Sequence, residues 1–316
     1  MGILHSRCPQ SIHRGFHDAV HRVATGPGEG MSKSLDQKKI EQIENLPTLP
    51  EVANKLLKII NDPTTTAVDV ANLISRDLSL TSKVLRLANS AFYGIPRTVT
   101  TVQNAVVILG LKVINTMVFS ITVVKMFPGD GRNERFSRKK FWAHSLACAV
   151  LSRQLALRMR KFTLFDPEEC FCAGLIHDIG RIVLDQYFHE NFMKAIQISL
   201  DKKVPLLQCE TEVFGFSHTE VGDWLTSRWE LPQDIRIPIV HHHAPSKTEY
   251  AREITTLVHL ADSLCYEVGF ILPGLDTAPA VDTALVAQLG FTQEDLDAVK
   301  ASAKDEIEKF QAALEI

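Results

Sequence analysis

The sequence predicts an all-α fold. Apolar residues recur at helical spacing along most of the chain, alternating apolar–polar stretches are scarce, and capping signatures punctuate the runs. Helices of about ten to twenty residues joined by short turns build a bundle. With 316 residues and 45% hydrophobic content there is ample apolar material for a large core.

Residues 1–35 stand apart. They hold His5, His13, His17 and His21 without apolar periodicity and include the stretch GPGEG, so a disordered extension is expected, with Met31 as the natural start. From residue 36 the pattern is helical. KKIEQIENL spaces Ile40, Ile43 and Leu46 three apart, and PTLPEVANKLLKII continues with Val52, Leu56, Leu57 and Ile60. TTTAVDVANLISRD opens on a capping box, Thr66 with Asp69. SLTSKVLRLANSAFYG is a further helix, with Gly94 and Pro96 beyond its end. The most lipid-like run, residues 104–124, carries Lys112 and Asn115 and is interrupted by Gly110. Charge at bilayer depth is costly, so two buried helical pieces are expected and no membrane span.

Gly, Pro and charge cluster in MFPGDGRNERFSRKKFW, residues 126–142. This break separates an N-terminal helical half, 36–128, from a second helical half, 129–270. Residues 271–316 form a linker and a terminal amphipathic helix. Thr292 and Asp295 cap that helix, and Leu296, Val299, Ile307, Phe310 and Leu314 form its stripe, which packs on the body or on a partner.

A net charge of −3 gives no basic excess, so no nucleic-acid partner is expected. Cys8, Cys148, Cys170, Cys172, Cys209 and Cys265 form neither a disulfide ladder nor a zinc-ribbon spacing; they fit reduced core residues of a cytoplasmic protein. The start has no apolar signal-peptide region.

The chemistry lies in polar residues set among apolar ones. His177 and Asp178 interrupt GLIHDIGRIV. His144 sits in FWAHSLACAV, and His218 opens a helix in GFSHTEVG, where Ser217 and Glu220 make a capping box. HHHAP, 241–245, falls at a helix C-terminus, and Asp262 lies in HLADSL. Each has an ordinary explanation alone: a histidine bonded to a carbonyl, an Asp178–Arg181 pair, a solvated helix end. Together, buried carboxylates and histidines need a shared compensating charge, which one or two divalent ions of Fe, Mn, Zn or Ni would supply.

These motifs, in this order, resemble the HD superfamily of metal-dependent phosphohydrolases, and more closely the HDOD domain, the HD-related output domain of bacterial signalling proteins. LPTLPEVANKLLKIINDP, LISRDLSLTSKVLRLANSAFYG and VQNAVVILGLKVINTMVF carry the HDOD-like part; FWAHS, GLIHDIGR, FSHTEVG, HHHAP and HLADSL carry the HD-like part. The resemblance implies an HD-type helical bundle with an additional N-terminal half. It also implies a dinuclear site: His144, His177, Asp178 and Asp262 on one ion, and His218, His242 and His243 on a second, with Asp178 bridging. His241 is then outside the site, and His189 and His259 match no motif. HD-GYP phosphodiesterases carry HDIGK where this chain has Arg181, and the GYP segment is missing, so the apparatus specific for cyclic di-GMP is not expected.

Three functions follow from the resemblance. The first is a regulatory module that binds a signalling protein or a nucleotide-like ligand. The second is a phosphohydrolase acting on a nucleotide or cyclic phosphodiester. In it Asp178 and Arg181 take the catalytic roles, and Lys139 or Lys140 helps to steady phosphate charge. The third is oxygen chemistry at a di-iron centre.

Overall fold

The computed structural model describes residues 46–59, 62–128, 135–159, 165–274 and 278–315, and among these there is no strand. The expected extension, residues 1–35, and the Ile40–Ile43 stripe lie outside the described residues. The described residues fall in one compact unit that begins at Asn45.

The N-terminal helices are α1 (Glu51–Ile59), α2 (Ala67–Ile74), α3 (Leu78–Ala88), α4 (Val102–Leu109) and α5 (Leu111–Met126). Side-chain caps start three of them. Thr66 and Asp69 form the expected capping box on α2, Asp77 Oδ1 accepts from Leu80 N at 3.0 Å on α3, and Thr101 caps α4. The 104–124 run is cut at Gly110, whose φ of 89° favours glycine, and no helix among the described residues is long and apolar enough to cross a membrane. Helix α3 stops earlier than its apolar pattern suggests. The Asn89 amide bonds Leu85 O and both the N–H and carbonyl of Val99, turning the chain at that point.

The centre of the molecule is α6 (Arg138–Arg158), buried on nearly all sides and flanked by α7 (Pro167–Ile176), α13 (Arg252–Glu267) and α15 (Gln293–Leu314). Between α7 and α13 come α8 (Ile179–Tyr187), α9 (His189–Lys202), α10 (Leu206–Phe214), α11 (His218–Arg228) and α12 (Gln233–His241). A short helix, α14 (Thr283–Gln288), lies between α13 and α15; its pattern was too brief to predict.

The terminal helix packs on the body, against α6 and α3. Its Phe310 is fully buried and meets Phe92 edge-on at 4.9 Å and Phe171 at 5.4 Å. Burying one such ring contributes about 1.5–3 kcal/mol. The AFYGIP turn thereby becomes the seat of α15.

Candidate metal centre

Local structure delivers each polar residue to one region. Helix α7 ends at Ile176, so His177 and Asp178 occupy the corner before α8. Two residues on, a Cβ at Gly180 would lie 1.9 Å from the His218 carbonyl oxygen. Only glycine allows α8 to cross the start of α11 in backbone contact. That crossing brings Asp178 to His218, which the Ser217–Glu220 box fixes as the first residue of α11. His242 and His243 follow the end of α12, His144 lies within α6, and Asp262 lies within α13.

The seven residues gather into two groups. His144, His177 and Asp262 form one, and Asp178, His218, His242 and His243 the other; in each, one ligand atom per residue lies within 4.8 Å of all the others. Asp262 Oδ1 is 3.2 Å from His144 Nε2 and 3.8 Å from His177 Nε2. Asp178 stands between the groups. Its Oδ2 lies 3.4 Å from His177 Nε2, and its Oδ1 lies 3.0 Å from His218 Nε2 and 3.6 Å from His242 Nε2.

Four imidazoles are held by their far nitrogens. His144 Nδ1 donates to Phe270 O (2.9 Å), His177 Nδ1 to Gly174 O (2.8 Å), His242 Nδ1 to Ile239 O (3.0 Å) and His218 Nδ1 to the Glu210 carboxylate (2.5 Å). A carbonyl or carboxylate at Nδ1 requires the proton there, so in the neutral ring Nε2 carries a bare lone pair. All four Nε2 atoms face the carboxylates. Those of His144, His177 and His242, with Asp178 Oδ1, are buried and make no hydrogen bond. Acceptors facing acceptors repel unless a proton or cation lies between them.

The charges are similarly lopsided. Asp178, Asp262 and Glu210 are buried, and among the described residues one Lys or Arg is buried with them, Arg181, whose Nη1 lies 2.9 Å from Asp178 Oδ2 and whose Nε lies 3.5 Å from Glu210 Oε1. Burial opposes ionisation of Asp178, but Arg181, His177 and His218 outweigh it and hold the carboxyl well below its usual range. Burial likewise opposes ionisation of Asp262, and His144 and His177 overcome it. Burial opposes charging His177 and His218, yet the anionic groups around them raise both. His242 is pushed down to about 4, first by burial, and His243 falls well below its ordinary value, by burial and by its histidine neighbours. The imidazole and carboxylate donors and the orphaned acceptors fit divalent transition-metal ions, which would take the place of the Nε2 proton on His177 and His218.

Other expected residues lie elsewhere. Arg181 is enclosed between Asp178 and Glu210. Lys139 and Lys140 are exposed in the first turn of α6, and Lys139 lines a cavity whose lining includes none of the seven. His241 belongs to neither group. His189 bonds Asp185 at 2.9 Å. His259 is buried and bridges the chain: Nδ1 donates to His242 O at 2.7 Å, and Nε2 accepts from Asp282 N at 2.8 Å. Two residues near the site were missed. Glu210 also accepts from the His218 backbone N–H at 2.9 Å. Tyr266 sets its ring 6.1 Å from His144, with a buried hydroxyl that makes no hydrogen bond.

Residues 46–245 match the HDOD domain as a protein family. The chain belongs to the HDOD family. An HDOD protein of unknown function from Geobacter sulfurreducens is 28% identical, with a TM-score of 0.74 over 89% of this chain and 96% of its own. A Shewanella amazonensis SB2B protein, provisionally assigned as a phosphohydrolase, shares the HDOD-type fold. It is 24% identical with a TM-score of 0.68, over 88% of this chain and 97% of its own. An uncharacterized protein of Treponema pallidum (strain Nichols) is 24% identical over 263 residues, 78% of this chain; the match spans 50% of that relative's length.

Proposed function

We propose that this chain is a regulatory HDOD module whose His/Asp cluster holds two divalent transition-metal ions. His144, His177 and Asp262 would hold one ion, His218, His242 and His243 the other, and Asp178 would serve both. The observation that carries the reading is the set of four imidazoles tethered at Nδ1, with every Nε2 turned toward Asp178 or Asp262. Orientation by a partner at the far nitrogen is the usual preparation of a histidine ligand. A regulatory role is supported by enclosure. His144, His177, Asp178, His218, His242 and Asp262 are all at most 4% exposed, and Arg181 is engaged by carboxylates.

A metal-dependent phosphohydrolase is the second reading, favoured by the unused Tyr266 hydroxyl beside the three-residue group. Divalent ions there supply Lewis acidity toward phosphoryl oxygens and a more acidic water. Tyr266 Oη would donate a hydrogen bond to a phosphoryl oxygen; its own proton is firmly held, because burial and the Asp262 charge raise its pKa. His243, only partly buried at the edge of the second group, would meet the substrate first.

Elemental analysis of protein purified without a histidine tag or added metal tests both readings. About two ions per chain are expected, with Asp178→Ala losing both. No ion even after reconstitution with Fe, Mn or Zn would overturn the metal reading. Metal-dependent hydrolysis of a phosphodiester by the loaded chain, lost in Tyr266→Phe, would replace the regulatory reading with the second.

A further inference from the structure

Away from the metal centre, two adjoining cavities of about 320 and 310 Å³ share Lys83, Ile121 and Lys125 as a common wall. The first lies among α3, α5, α6 and the end of α15, and Lys139 and Trp142 complete its character. The second runs toward α1, and its wall mixes Val52, Leu80 and Met126 with Asp77, Ser79 and Thr122.

The charges around the first cavity do not balance. Lys83, Lys125 and Lys139 come from three different helices, and none has an ion-pair partner among the described residues. Three lysines against Glu315 leave the first cavity with a net positive lining, and both lining carboxylates have other partners, although Glu315 also acts on Lys83. Glu315 is paired with Arg86, and Asp77 caps α3 through the Leu80 N–H. Three ammonium groups around one concavity repel each other and concentrate anions. Part of the wall is apolar and fixed: Trp142, one turn along α6 from Lys139, is 2% exposed, and its Nε1 donates to Phe127 O at 3.1 Å. Ligand sites commonly combine an apolar lining of this volume with a few charged groups at one end.

We propose that this cleft binds a nucleoside polyphosphate. Its phosphates lie against Lys83, Lys125 and Lys139, and its nucleoside extends along the second cavity, where Val52, Leu80 and Met126 offer apolar surface and Ser79, Thr122 and Asp77 offer hydrogen-bonding groups. Lysine suits this part because its compact charge can follow a polyphosphate without a fixed fork geometry. The site shares no lining residue with the metal groups, so it stands whether or not the centre holds ions.

Calorimetric titration of the full chain, at fixed metal content, with ATP, GTP and palmitate tests it. A Lys125→Glu, Lys139→Glu double variant accompanies the parent; both lysines are exposed, and circular dichroism and metal content verify its fold. Saturable nucleotide binding is expected, weakened by about tenfold or more in the variant as two charge-assisted contacts reverse sign. Three outcomes would overturn the proposal: no nucleotide binding by the parent, equal binding by the variant, or binding of palmitate in place of the nucleotides. Nucleotide binding abolished by Asp178→Ala and untouched by the lysine variant would place the ligand at the metal centre, and so also overturns it.

Discussion

The two proposed ligand groups differ in what stands behind them. Behind the three-residue group the supports are backbone: His144 and His177 rest on the carbonyls of Phe270 and Gly174. Behind the four-residue group they are largely charged. His218 rests on the Glu210 carboxylate, and Asp178 is paired with Arg181. A carbonyl fixes a ring's orientation and tautomer; a carboxylate does that and also makes the ring a stronger base and ligand. The first group therefore rests mainly on backbone carbonyls, whereas the second depends on a network in which each charge supports another. His243, only partly buried, gives the second group an edge toward solvent, while the first is enclosed. Perturbations of the charged network that leave Asp178 in place, or of the α8–α11 crossing, should remove one ion and leave the other.

Gly180→Ala is the most severe way to break this comparison. The new Cβ would lie 1.9 Å from the His218 carbonyl oxygen, a backbone atom that cannot swing away as a side chain could. Relief requires α8 and α11 to part, which draws His218 from Asp178. Overpacking of this kind costs about 1–3 kcal/mol or more. The expected result is metal content falling from about two ions to about one, with a lowered melting temperature. Retention of both ions would show that the crossing does not position the second group.

Glu210→Gln sharpens the comparison with less disruption, since it keeps the size and one acceptor but removes the charge. The ion at the four-residue group should bind about 10–100-fold more weakly, the usual effect of losing a partner behind a ligand, while the three-residue group keeps its affinity. Competition with a calibrated chelator measures both constants. Equal weakening at both groups would mean that Asp178 couples them so tightly that the distinction between them is not useful.

Local signals were legible in the sequence. The Thr66–Asp69, Ser217–Glu220 and Thr292–Asp295 boxes start helices at those positions, and Gly110 divides the apolar run. Each depends on residues within one turn, where chain geometry leaves few options. The gathering of the seven polar residues was expected from motifs rather than spacing, because it joins α6, α11, α13 and two helix junctions distant in sequence. Glu210 was legible and overlooked. Leu206, Glu210 and Phe214 fall at i, i+4 and i+8, so a carboxylate stands on an apolar face, the anomaly that singled out Asp178. Tyr266 lies four residues beyond Asp262 and shares its side of α13, but a tyrosine on an apolar face is common and raises no flag. The bridging role of His259 depends on Asp282, beyond the end of α13, and no local pattern encodes it.

His259 offers the mildest test, because it touches the second group only through backbone. Its Nδ1–H holds the His242 carbonyl, and its Nε2 takes the Asp282 N–H, so one ring ties the ligand corner to the segment that leads into α14. His259→Ala removes both bonds and leaves a buried carbonyl and N–H without protein partners, each costing about 1–3 kcal/mol unless water enters. His242 keeps its own tether to Ile239 O, so its ring should drift only slightly. The expected effect is a few-fold weaker ion at the four-residue group, with increased hydrogen exchange across residues 278–288. His259→Asn, which retains a donor and an acceptor, should recover part of the loss. If exchange rises while metal affinity stays unchanged, His259 anchors the C-terminal segment but does not set the ligand corner, and the second group's geometry then depends on its charged network.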